Sequence, residues 1–168
     1  PAIRATAGEV AAAALKAATL GAGGSFDVVG TVSRLVPLKI VQRCFGFLGP
    51  DDATMLAWSR ATQADMFHNL TNNAAMLQAD IAAGQAMQAW VAKFIDARQP
   101  WAEVAGEDTV SRLLRLTGTG LSGLDRQGVI SNICGLLVGA IETTSQAIVN
   151  ATEQILRNPA QAVLATKA

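Results

Sequence analysis

The stretch Ser122–Pro159 reads SGLDRQGVISNICGLLVGAIETTSQAIVNATEQILRNP, and it decides the fold of this chain. Ser122, followed three residues later by Asp125, resembles the capping box that starts a helix. Pro159 marks a helix end, because the residue before a proline is pushed out of the helical region. Between them, apolar residues recur at helical spacing: Val129, Ile130, Ile133, Leu136, Leu137, Ala140, Ile141, Ile148 and Val149. The stretch therefore predicts one long central helix over residues 122–158, about 50 Å long at 1.5 Å per residue.

The rest of the chain predicts further helices and almost no strand. The helical segments are Ala2–Leu20, Val32–Leu48 with its helix starting near Pro37, Ala53–Asn69, Ala74–Arg98, Asp108–Leu116 and Ala160–Ala168. The β-branched run Phe26-Asp27-Val28-Val29 is at most one strand and has no clear partner. We therefore predict an all-α fold of about seven helices around the long central helix, with residues 1–168 forming a single helical domain.

Composition argues against several kinds of partner. Hydrophobic residues make up 51% of the 168, and only 15% are charged, against about a quarter in typical proteins. Thirteen basic and thirteen acidic residues cancel without forming a basic cluster, which disfavours nucleic acid and anionic membranes. The uncharged run 127–141 is shorter than the roughly 20 apolar residues of a membrane span, and no signal peptide pattern is visible. We expect a cytoplasmic protein and, because the chain begins with Pro, a processed or excised piece.

The few cysteines and the single histidine limit the disulfides and metal sites that this chain can form. Cys44 and Cys134 both lie in apolar helical contexts, which favours small buried thiols over a disulfide framework. His68 is the only histidine, so a metal site of several imidazoles is excluded, and its position at a predicted helix end favours an interaction with the helix dipole.

The middle of the long helix carries unusual chemistry. Thr143 follows Gly139 by four residues, so its hydroxyl can bond the carbonyl of residue 139 and loosen the helix locally. Gly139 and Ala140 leave a low wall against which a flat ligand fits, and Glu142 can supply protons. The alternative is a close helix crossing, with Thr143 and Glu142 facing solvent. Met66-Phe67 either lines an apolar cavity or serves as pliable packing.

Several motifs, in order, resemble the cytochrome P-450 family. Gly139-Ala140-Ile141-Glu142-Thr143-Thr144 resembles the oxygen-binding motif of its long central helix, with Ala140 in place of the usual second glycine. Gln154-Ile155-Leu156-Arg157-Asn158-Pro159 resembles the end of the same helix. Upstream, the segments 26–29, 36–41 and 45–52 resemble the bacterial-type pattern that precedes the next helix. The resemblance covers nearly the whole chain and corresponds to the family's helices D to I and the start of J.

The resemblance implies a parent enzyme that is a haem-thiolate monooxygenase. Such an enzyme takes electrons from a redox partner, activates O2 at haem and hydroxylates an apolar small molecule. The implied roles are proton delivery by Thr143 and Glu142, haem contact by Gly139, Ala140 and Thr144, and substrate contact by Gly135, Val138, Met66 and Phe67.

Two parts of the family pattern are absent from the sequence. Neither the Glu-x-x-Arg pair nor the Phe-x-x-Gly-x-x-x-Cys-x-Gly ligand loop is present, and Cys44 lacks the upstream glycine of that loop. We therefore expect an internal fragment that is inactive alone, provides no axial metal ligand and holds no haem tightly. We also expect a homo-oligomer through the exposed haem-facing side, burying Leu136, Val138 or Ile141. The alternative hypothesis is a free-standing helical binding or structural module with no catalysis.

Overall fold

The computed structural model describes residues 2–18, 24–160 and 163. No strand occurs among these residues, so the all-α prediction is confirmed. The helices are α1 (Ala2–Ala17), α2 (Leu35–Arg43), α3 (Asp52–His68), α4 (Ala74–Asp96), α5 (Thr109–Gly118), α6 (Arg126–Ala140) and α7 (Glu142–Arg157). A π-helical turn lies at Val29–Ser33 and a 3-10 turn at Trp101–Glu103, and residues 159, 160 and 163 are also helical.

The predicted long helix is present as α6 and α7, which meet at Ile141. Its start at Ser122 is wrong: the Asp125 carboxylate caps the helix by accepting the Gly128 N–H at 2.7 Å. The Ser122 hydroxyl is used in the preceding loop, where it accepts the amide of Leu124 at 3.1 Å. The predicted end is confirmed, since α7 stops at Arg157 before the proline.

Side-chain caps begin the next helices where the sequence predicted starts. Asp51 accepts the Thr54 N–H at 2.7 Å at the start of α3, and Asp108 accepts the Ser111 N–H at 2.8 Å at the start of α5. Asn73 accepts the Ala75 N–H at 2.9 Å at the start of α4. Each cap satisfies an amide that has no partner within its own helix, which fixes the helix boundary locally.

The candidate strand at Phe26–Val29 is wrong. The Asp27 carboxylate accepts the Val29 N–H at 2.9 Å and turns the chain into the π-helical turn Val29–Ser33. A local side-chain hydrogen bond thus outweighs the β propensity of the two valines, which have no neighbouring strand with which to pair. Of the other predicted ends, Leu20 and most of 160–168 lie outside the described residues.

The long helix forms the centre of the core. Val129, Ile133 and Leu137 on α6 are buried, and α6 packs against α2, α3, α4 and α5. An aromatic cluster belongs to the same core: the centre of the Phe47 ring lies 5.1 Å from that of Trp90 and 5.4 Å from that of Phe94. Helices α3 and α4 form a hairpin joined by residues 69–73. Helix α7 continues from α6, which packs against α3, and α7 therefore also contacts α3.

The continuous span Arg126–Arg157 is long and apolar enough to cross a membrane by length and composition, with a mean hydropathy of 1.3 over its best window. The same signal is produced by a core helix, and the apolar face of α6 lies against its neighbours. The absence of a membrane partner and the cytoplasmic location therefore stay predictions.

Candidate functional site

The long helix bends at Ile141. Its backbone dihedrals are φ −86° and ψ −68°, so ψ departs from the value near −42° of a regular helix. The Thr143 hydroxyl donates to the carbonyl of Gly139 across this bend. A threonine that bonds the carbonyl four residues earlier competes with the backbone and often bends a helix. The predicted hydroxyl contact is therefore present, at the predicted place.

A side chain from α3 also reaches the bend. Gln63 is buried, and its Nε2 donates to the carbonyl of Val138 at 2.7 Å. In a regular helix that carbonyl accepts the N–H of residue 142. The amide of Gln63 gives it another donor and links α3 to the junction between α6 and α7.

A cavity of about 620 Å³ lies beside the bend, between α3, α7 and the π-helical turn. This volume falls within the range of small-molecule sites. The cavity is lined by Arg34, Arg60, Gln63, Ala64, Phe67, His68, Glu142, Thr143 and Gln146.

Glu142 is the single acid among the described residues that line the cavity. Its Oε1 lies 3.9 Å from Arg34 Nε, and its side chain is 18% exposed. That oxygen is fully buried and has no hydrogen-bond donor among the described residues. A buried carboxylate oxygen near one guanidinium has the charge compensation it needs but retains a free acceptor position. That oxygen is closed to solvent, so what Glu142 contributes to the cavity wall is a negative charge beside Arg34.

The structure brings together only part of the predicted site. Glu142, Thr143 and Phe67 line the cavity, whereas Met66 is exposed without lining it. Val138 is half-buried and takes part through its carbonyl.

The remaining predicted contacts lie outside the lining. Gly135, Gly139 and Thr144 are exposed, and Ala140 is half-buried against the core. Apart from its chain neighbours and the backbone of its own helix, no atom of the described residues lies within 4 Å of the place that a Cβ on Gly139 would occupy, so the predicted low wall is open there.

Sequence reasoning missed the polar wall of the cavity. Arg60, Gln63 and Ala64 precede Phe67 by seven, four and three residues, which places all four on one face of α3. His68 is the last residue of α3, as predicted, and it also lines the cavity. The spacing around Phe67 was the signal that could have identified these residues, but nothing in the sequence indicated that this face meets α7.

The two cysteines lie away from the cavity. Cys134 is buried in the core, where burial raises the pKa of its thiol from 9.0 to about 11. Cys44 ends α2, with its Sγ 3.6 Å from the Thr6 hydroxyl. Neither sulfur lines the cavity. Within the described ranges, no group of three or more His, Cys, Asp or Glu side chains is placed to hold a metal ion.

Comparisons with protein-family models, curated proteins and solved structures found no match to this chain. The family resemblance therefore rests on the sequence motifs.

Proposed function

We propose that this chain is the substrate- and oxygen-facing part of a cytochrome P-450-like monooxygenase, and that it is inactive without the part that supplies the axial thiolate. The observation that carries the proposal is the Thr143–Gly139 hydrogen bond at a bend that borders a cavity of small-molecule size. A module whose Gly139–Thr144 segment served only as a packing seam would not need a cavity at that position.

The proposed role of Thr143 and Glu142 is proton supply to a reactant in the cavity. The Thr143 hydroxyl gives its own proton to the Gly139 carbonyl, so its oxygen is oriented as an acceptor toward other donors. Glu142 is the neighbouring residue and lines the same cavity. To deliver a proton, the Thr143 hydroxyl would have to release the Gly139 carbonyl, donate toward the cavity and take a replacement proton from Glu142 or from water.

The proposed substrate is an apolar small molecule, with Phe67 and Ala64 as the apolar wall. In the parent enzyme, haem would supply oxygen activation and a redox partner would supply electrons. Because neither cysteine of this chain stands at the cavity, we derive no step through haem here.

The test is to express the complete reading frame that contains these residues and to measure haem content and the carbon monoxide difference spectrum. We expect a thiolate-type spectrum and substrate hydroxylation. Thr143→Ala should give less hydroxylated product per oxygen consumed, and Thr143→Ser should restore most of it, since only the hydroxyl is required.

Two results would contradict the proposal. If the protein expressed from the complete reading frame binds no haem, the assignment to a monooxygenase is wrong. A stoichiometric thiolate-type spectrum from residues 1–168 alone would show that the account of the missing ligand is wrong.

A helical binding or structural module remains the second candidate. Arg34 lies beside Glu142, and the Thr143 hydroxyl is bonded within its own helix, so both side chains also have structural roles. Under this hypothesis the Thr143→Ala and Thr143→Ser variants of the complete product would not differ in any oxygen-dependent reaction.

A further inference from the structure

The cavity between α3 and α7 carries an excess of positive charge. Arg34 and Arg60 line it against one acid, Glu142, with His68 at the end of α3. Arg34 and Glu142 offset one another through their 3.9 Å contact. Arg60 is exposed and has no ion pair or hydrogen bond with the described part of the chain. One guanidinium is therefore left without a counter-charge at the wall of the cavity.

The same face of α3 changes from charged to apolar along its length. Arg60 lies one turn before Ala64 and two turns before Phe67. At 1.5 Å per residue, the Cα atoms of Arg60 and Phe67 are about 10 Å apart along the helix. Phe67 is 55% exposed, so much of its ring is available to a bound molecule. A ligand lying along this face would meet a cation at one end and an aromatic ring at the other.

We propose that the cavity binds a small molecule with a single carboxylate on an apolar body, the carboxylate held by Arg60 and the body lying along Ala64 and Phe67. This deepens the proposed function and rests on it, in that the cavity is taken to be the substrate site. A guanidinium presents parallel N–H donors that match the two oxygens of a carboxylate. One unmatched cation suits a monoanion. A cationic ligand is disfavoured because Glu142, the one acid that the described part of the chain brings to the lining, already faces Arg34.

The test is calorimetric titration of residues 1–168 with octanoate, 1-octanol and octylammonium at pH 7. The three probes share an apolar chain and differ in the head group. We expect octanoate to bind on the order of tenfold more tightly than octanol, because hydrogen bonds to charged groups are the stronger class. Octylammonium should bind most weakly.

Arg60→Gln should abolish the preference for octanoate and leave octanol binding unchanged. Arg4→Gln is the matched control, since Arg4 is also an exposed helical arginine without a partner among the described residues. Arg60→Lys should retain part of the preference. Glutamine and arginine have similar helix propensities, so neither glutamine variant should unfold the chain.

Three results would overturn the proposal: equal binding of octanoate and octanol, tightest binding of octylammonium, or a preference for octanoate that survives in Arg60→Gln. These titrations need neither haem nor turnover, so they fail independently of the proposed function. If octanoate and octanol bind equally and the protein from the complete reading frame shows a Thr143-dependent reaction, only the proposed ligand class is rejected. If octanoate binding depends on Arg60 but the protein from the complete reading frame holds no haem, only the monooxygenase proposal is rejected.

Discussion

Cys134 shows how burial alters the chemistry of one residue. Its thiol lies in the core beneath α6, and the loss of hydration disfavours the thiolate, which raises the pKa to about 11. The sequence predicted burial of both cysteines, and the structure gives different outcomes. Cys134 is buried, whereas Cys44 is partly exposed at the end of α2. An apolar sequence context was present in both cases, but only the packing of neighbouring helices determined the exposure.

We predict that Cys134 is alkylated far more slowly than Cys44 in the folded protein. A pKa raised from 9.0 to about 11 lowers the thiolate fraction at pH 8 on the order of 100-fold, and burial restricts access as well. The measurement is iodoacetamide labelling followed by peptide mass spectrometry. In urea the rate at Cys134 should rise steeply, and equal rates at both cysteines in the folded protein would contradict the prediction.

The same pKa has a consequence for stability. Because the folded state holds the Cys134 proton more tightly than the unfolded state, its contribution to the free energy of unfolding is complete below pH 9 and is lost as the pH rises toward 11. Cys134→Ala should remove this component of the pH dependence, whatever its effect on stability at neutral pH.

At the scale of elements, the junction between α6 and α7 depends on a contact from another helix. The threonine that bends the long helix is visible in the sequence, because Thr143 follows Gly139 by one helical turn. The contribution of Gln63 is not visible, since it comes from a residue on α3 that is 75 positions away from Val138. Two interactions therefore act at the bend: the local bond of Thr143 to Gly139 and the bond of Gln63 on α3 to Val138.

We predict that Gln63→Leu destabilises the fold by about 0.5–1.5 kcal/mol, because it removes the hydrogen bond from Gln63 to the half-buried Val138. Urea unfolding measures this change. Amide hydrogen exchange at residues 141–145 should also change, since the junction loses its link to α3.

Gln63→Glu provides a matched variant of nearly the same shape. Its carboxylate would face a carbonyl at neutral pH and destabilise the fold, and its folded pKa would be raised. The stability deficit should therefore shrink as the pH falls through that pKa, where the protonated carboxyl can donate. A pH-independent deficit would show that the hydrogen bond is not the cause.

At the scale of the whole molecule, the question is which apolar surface is left exposed. Ile141 was expected to help form an oligomer interface, but it is fully buried and cannot do so in this fold. Leu136 and Val138 are half-buried and stay candidates. The turn between α3 and α4 exposes more apolar surface, with Leu70 90% and Met66 63% exposed.

The homo-oligomer stays a prediction, now centred on Leu136 and Val138. Light scattering at high protein concentration should show a dimer or larger species, because exposed apolar patches tend to associate. Leu136→Gln should dissociate it, whereas Leu70→Gln, a matched change at the α3–α4 turn, should not. A monomer at all concentrations would contradict the prediction, and dissociation by Leu70→Gln alone would move the interface to that turn.

The class of the fold, most helix boundaries and the distortion at Gly139–Thr143 could be predicted from the amino-acid sequence. These features depend on interactions within a few residues: helical spacing of apolar side chains, caps such as Asp51 and Asp108, and a hydroxyl one turn from a carbonyl. The errors at Ser122 and Phe26–Val29 arose where two local hydrogen-bonding choices competed.

The cavity and its charge arise from the packing of helices that are distant in the sequence. Arg34, Arg60 and Glu142 come from three separate elements, and they share a surface because α7 packs against both α3 and the π-helical turn. Packing also decided that Ile141 is buried while Phe67 is exposed, although both are large apolar residues in helical sequence. Burial depends on which faces of distant helices meet, and helical spacing within one segment does not contain that information.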